Sequence, residues 1–209
     1  MTAEELASER RRLAERALQL CLRRGEEIPL QKLASEEGIA RARAEAIFID
    51  DDGLFESVAE LWMEPLIIEM EEVLASDLPP NRKMYEFFVR RFRISRERFR
   101  SDPAGFALLC EIGAARFEKV RSFVDLADHY LSEIIAQAQA DGYFPGFEID
   151  MALSLINQMM SNYTLPDALI YLDDRLSEEK LAHIIDTIFA GLSAENSGAS
   201  GVNTIRIAT

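Results

Sequence analysis

Cysteine is nearly missing from this chain: Cys21 and Cys110 are the two it has, far apart and each among apolar neighbours. Such a pair reads as buried, reduced thiols and excludes a disulfide-stapled scaffold. Long apolar runs are missing as well. None approaches the roughly 20 residues needed to cross a bilayer, and the start MTAEELASERRRLAER is charged throughout, unlike the basic stub and apolar stretch of a secretory signal. The chain is therefore expected to stay in the cytosol. Positive charge is scarce: 23 Lys and Arg face 37 Asp and Glu, for a net charge of −14. The field of the whole molecule opposes nonspecific attachment to nucleic acid, so any such contact has to come from a local patch. A Gly-rich phosphate loop, an HExxH, a Cys-His cluster and a nucleophile elbow are all absent. No enzyme and no cofactor are expected on that ground. Asp125 with His129, and His183 with Asp186, have spacings that permit a shared metal. Isolated pairs fall short of the three or four ligands of a metal site, and none is expected.

Alternating strand-like runs are lacking too, whereas almost every segment carries apolar residues at three- and four-residue spacing, which predicts an all-α protein. Breaks at Gly25 with Pro29, at Gly38, at residues 50–53, 76–81, 101–103 and 142–146, and at Pro166 and Asp173 divide it into about nine helices. Helices near 3–24, 29–36 and 40–46 precede a longer one at 50–75 and then a set of long amphipathic ones. This order predicts a small three-helix helix-turn-helix module over residues 1–55, a helical bundle over 56–193, and a flexible, small and polar tail over 194–209.

The run LAERALQLCLRRG, followed by IPLQKLASEEGIARARAEAIFIDDDGLFESVAELW, resembles the TetR family of bacterial transcriptional regulators. Leu33-Ala34, Gly38-Ile39, Phe48 and Leu54-Phe55 stand at the positions that carry the family pattern. Local physics agrees. Gly38 can take the positive φ that reverses the chain after a short helix, and Leu30, Leu33, Ile39, Ile47 and Phe48 can form the small core behind it. The following helix then presents Ala40, Arg41, Ala42, Arg43, Ala44 and Glu45, small side chains that permit close approach to a groove with two arginines that reach base edges or phosphates. Arg41 and Arg43 are the expected readers, with Gln31 and Lys32 on the supporting helix, and Ala40 and Glu45 at the same face. The resemblance implies a homodimer on a palindromic double-stranded DNA operator, released by a small-molecule effector.

Several positions depart from the family pattern. Glu45 and Asp51 place acid where phosphate-contacting residues are common, and Pro29 replaces a capping hydroxyl. Residues 1–60 hold nine basic against 14 acidic residues, a net charge of −5. Asp50, Asp51 and Asp52 precede a helix, where one can cap free amides and all favour the positive end of the dipole. Replacing Asp51 by Lys is expected to strengthen DNA binding. The alternative reading is an effector-binding or protein-interaction dimer with weak or lost DNA binding.

Residues 84–101 interleave aromatics with arginines, and at helical spacing this reads as an inward aromatic face and an outward basic face paired with carboxylates. Phe88, Phe92, Phe106, Leu109, Cys110, Phe117, Phe123 and Tyr130 can line either a filled core or a cavity. The family resemblance implies a cavity, for an apolar or aromatic effector. Two final helices near 148–163 and 176–192 lie where the family pairs two copies, and Leu155, Met159, Ile184, Ile188 and Phe189 are the expected dimer contacts.

Overall fold

Thr2 opens the first helix by a reciprocal cap: its hydroxyl accepts from the Glu5 N–H at 3.1 Å, and the Glu5 carboxylate accepts from the Thr2 N–H at 2.7 Å. The helix it starts, α1 (Ala3–Arg24), closes on Gly25 at φ 68°. A computed structural model describes residues 2–194 of the chain; the tail expected over 194–209 lies, but for its first residue, outside the described residues. After α1 come α2 (Leu30–Glu37), α3 (Arg41–Phe48), α4 (Asp51–Ala75), α5 (Pro80–Ser101), α6 (Pro103–Ala115), α7 (Phe117–Ala140), α8 (Ile149–Thr164), α9 (Ala168–Leu172) and α10 (Glu178–Leu192).

The described residues are all-α, with ten helices where about nine were expected. The added helix has a local cause. The stretch from Phe106 to Phe144, read as one amphipathic helix, is broken at Arg116, whose φ of −120° and ψ of 38° leave the helical region. Its side chain turns inward, 2.6 Å from Glu27 Oε1 and 4.9 Å from the centre of the Phe55 ring. The short α9 is a single helical stretch between Pro166 and Asp173, held by its buried Leu169.

Two compact units emerge, one made of the residues up to Ile67 with Glu97–Val124, the other of Ile68–Arg96 with the described residues from Asp125 onward. In the first, Leu13, Leu20, Leu33, Ala44 and Phe48 are at most 1% exposed, and Leu108, Leu109 and Ile112 pack against that cluster. Polar ties reinforce it: Arg10 Nε donates to Ser57 Oγ at 2.7 Å, and Ser57 Oγ donates to the Gly53 carbonyl at 2.9 Å. Burial of this kind is worth about 25 cal/mol per Å² of apolar surface, which is what holds α2 and α3, eight residues each and too short to persist alone.

In the second unit the aromatics of α5 point into the core, as the spacing predicts. Phe87 and Phe88 meet edge to face at 5.3 Å, and Phe92 meets Tyr163 at 5.1 Å. Several arginines of α5 take carboxylates: Arg90 with Glu86 and Glu69, Arg93 with Glu178, and Arg96 with Asp173 at 2.6 Å. Arg91 departs from the outward pattern. Burial pushes its guanidinium down to about 10, against the pull of the Asp128 charge. Among the described residues no helix is long and apolar enough to cross a membrane.

Candidate nucleic-acid interface

Gly38 carries the turn on which the interface depends. It sits at φ 64° and ψ 28°, the left-handed region that a side chain disfavours, and the Ile39 N–H beyond it donates to the Ala34 carbonyl at 3.0 Å. The chain then enters α3 with its buried side, Ala44, Ile47 and Phe48, turned into the unit's core. Ala40, Arg41, Ala42 and Arg43 are exposed, as is Gln31 on α2, while Lys32 and Glu45 are partly buried. The six residues expected to face DNA therefore lie on α2 and α3 or at the turn between them.

Each cation among them already has an internal carboxylate. Arg41 Nε lies 2.6 Å from Glu45 Oε1, one turn away on the same helix. Arg43 grips Glu9 of α1 with Nε at 3.1 Å and Nη2 at 2.9 and 2.8 Å, and Lys32 pairs with Glu26. Glu37 takes both Arg12, at 2.8 Å, and Arg16, at 2.9 Å. The hydrogen bond from Arg43 holds the Glu9 carboxyl below its ordinary value, and the same bond raises the Arg43 guanidinium. The Arg41 and Arg43 side chains remain 70% and 55% exposed. Pairs that wet are worth about 0–1 kcal/mol, so a phosphate can take the place of either carboxylate.

The acidic cluster resolves into separate roles. Asp50 Oδ1 accepts from the Gly53 N–H at 2.9 Å and caps α4. Asp51 Oδ1 accepts from the Leu30 N–H at 2.6 Å and so caps α2, the helix whose preceding Pro29 has no side-chain acceptor. Asp52 lies 3.5 Å from Lys119, which also binds Glu56 at 2.9 Å. This changes what is expected at Asp51. Lysine there would add a cation but remove the α2 cap, a loss of about 1 kcal/mol. Asparagine keeps an acceptor and removes the charge, so Asp51→Asn is expected to bind DNA more tightly than wild type with an unchanged melting point, and Asp51→Lys to melt lower. Calorimetry beside a DNA titration separates the two; equal melting points for both would show that the cap contributes nothing.

Glu9, Glu37 and Glu64 are each held below the ordinary 4.5, chiefly by hydrogen bonds from Arg43, Arg12 and Arg11 respectively. A carboxylate depressed in the folded state contributes stability above its unfolded pKa, and that contribution is lost as pH falls through the folded one. The melting temperature is expected to fall as pH drops below about 4.5. Thermal scans from pH 7 to 3 check this, and a flat profile would remove these pairs from the account of stability.

The expected effector residues fall in both units. Phe88 and Phe92 are fully buried and, with Tyr130, belong to the second unit; Phe106, Leu109, Cys110, Phe117 and Phe123 belong to the first. Phe106 is packed between Trp62 and Phe99, Phe117 is 45% exposed, and Tyr130 donates to Glu71 at 2.8 Å. Leu109 alone of the eight lines the apolar cavity within the first unit's core, about 70 Å³ in volume, with Ala17, Cys21, Leu54, Val58 and Ile112. That is well under the roughly 300 Å³ at which drug-sized sites begin. Periodicity could not have singled out Ala17 and Cys21 as cavity walls, because they read as ordinary core positions of α1.

Of the expected dimer contacts, Met159 is 43% exposed and Leu155 and Ile184 are partly buried, while Ile188 and Phe189 lie in their own unit's core, Phe189 against Tyr143 and Phe144. Met151 on α8, apolar like them, is 56% exposed. No group of three or more His, Cys, Asp or Glu able to hold a metal gathers among the described residues.

Residues 80–185, half of the chain, match the family model described as Tetracyclin repressor-like, C-terminal domain. Among solved structures, the TetR family transcriptional regulator PfmR from Thermus thermophilus is similar at 19% identity and a TM-score of 0.53, over 88% of this chain and 100% of that one. A putative transcriptional regulator from Pseudomonas aeruginosa is similar at 13% identity and a TM-score of 0.68, over 92% of this chain and 94% of that one. At these identities the likeness is one of fold. Among curated proteins none matches the chain significantly.

Proposed function

Since the chain belongs to the TetR family of transcriptional regulators, we propose that it works in the cytoplasm as a ligand-responsive repressor that binds a palindromic operator as a homodimer and leaves it when a small apolar or aromatic effector binds. The observation that carries this reading is the exposed pair Arg41 and Arg43 on the helix that follows the Gly38 turn, with the rest of that helix anchored in the core. Such a helix fits the major groove, and two copies about 34 Å apart would read successive turns of one duplex face. Met151, Leu155 and Met159 on α8 supply apolar surface for the second copy.

Full-length protein titrated onto its own promoter region at low and moderate salt tests the reading. A defined footprint is expected, with Arg41→Ala and Arg43→Ala each weakening it about tenfold or more. Loss of neither residue affecting the footprint would sink the assignment of α3 as reader.

A second reading is favoured by the internal ion pairs of Arg41, Arg43 and Lys32: a dimer that senses an effector but holds DNA weakly. It predicts no footprint at any salt concentration while a ligand still raises the melting temperature.

A further inference from the structure

Ala42 and Ala46 stand one turn apart on the outer side of α3, and Ile49 follows at the residue just past the end of the helix; all three are exposed. Ile49 is 81% exposed, and its backbone sits at φ 72° and ψ −60°. That region belongs to glycine, and a β-branched residue there is strained. Burial does not repay the strain, since the side chain stands in water. Its N–H donates to the Glu45 carbonyl at 2.8 Å, a bond glycine would make equally well. Nothing within the protein therefore accounts for isoleucine at this corner.

On the DNA-binding reading, which this inference rests on, the exposed side of α3 faces a major groove. One apolar group is presented there: the C5 methyl of thymine. The N-terminal module carries excess negative charge, so the nonspecific electrostatic share of binding is small and the share left to base contacts correspondingly large. We propose that this face reads thymine methyl groups, Ile49 being the anchor, while Ala42 and Ala46 let the helix approach closely enough for contact. The operator half-site is then thymine-rich at the positions spanned by these three residues.

The test uses the full-length protein and a duplex it selects from a random double-stranded pool. Each half-site thymine is then replaced in turn by deoxyuridine, which removes the methyl and leaves base pairing intact. Wild type is expected to lose about three- to fivefold in affinity for each contacted methyl. With Ile49→Gly the exchange at the thymine reached by Ile49 makes no further difference, while the melting temperature of the protein stays level or rises because the strain is gone. Ile49→Val retains most of the methyl sensitivity. A selected duplex whose affinity ignores every methyl overturns this assignment alone, as does an Ile49→Gly protein that loses stability in step with binding. A pool from which wild type selects nothing overturns the assignment together with the DNA-binding reading.

Discussion

A Glu9→Gln, Glu45→Gln double variant is expected to bind the operator roughly ten- to thirtyfold more tightly than wild type. Glutamine preserves an acceptor for Arg43 Nη2 and Arg41 Nε, so the guanidinium positions change little. What disappears is two negative charges beside the phosphates that those arginines would meet, a repulsion that water weakens without abolishing. Salt dependence should steepen as well, by about 0.9 in log–log slope for every arginine that gains a phosphate. Fluorescence anisotropy at a series of salt concentrations reads both quantities. The control is Glu64→Gln, which removes one charge from the partner of Arg11, on α4 rather than at α3. If the control tightens binding as much per charge, net charge alone governs affinity and the pairs on α3 have no special place.

Gly53→Ala is expected to lower stability by about 3 kcal/mol, the upper end of what forced overpacking costs. A Cβ built on Gly53 would lie 1.9 Å from the Phe48 carbonyl oxygen, and backbone cannot swing aside as a side-chain tip does. To admit it, α3 and α4 must part, which disturbs the Asp50 cap and the strained Ile49 between them. In a chain of this size the melting temperature should drop by roughly 6–12 °C. Gly113→Ala is the matched comparison: it lies within α6, where an added Cβ meets nothing within 4 Å, and it should stabilise by about 0.5–1 kcal/mol. Differential scanning calorimetry on both variants decides the matter. A Gly53→Ala protein that melts with wild type would mean the α3–α4 corner is looser than its geometry implies.

Helix existence and the turn at Gly38 were legible because they depend on residues close in sequence: a glycine after a short apolar pattern, and core positions at three- and four-residue spacing. What escaped was set by partners far along the chain. Arg43 looks like a free reader until Glu9, 34 residues earlier, is brought beside it. Asp51 looks like an obstacle to DNA until the Leu30 N–H, 21 residues before it, is seen to need an acceptor. The break at Arg116 escaped for the same reason, since the amphipathic pattern runs on through it and only Glu27 and Phe55 draw its side chain inward. Exposed and buried apolar residues on α8 and α10 share one helical spacing, so Phe189 and Met159 looked alike until their neighbours were known.

The bond from Leu30 to Asp51 makes the first turn of α4 and the first turn of α2 neighbours in a mechanical sense. At 2.6 Å it has less than about 1 Å of travel before it passes the length at which a hydrogen bond ceases to count. An axial slip of α4 no larger than a bond length would strip α2 of its acceptor and let the helix beneath the reader fray. Its loss costs about 1 kcal/mol, roughly a fivefold shift toward a frayed α2, so a sub-ångström motion of α4 is enough to change how firmly α2 is held.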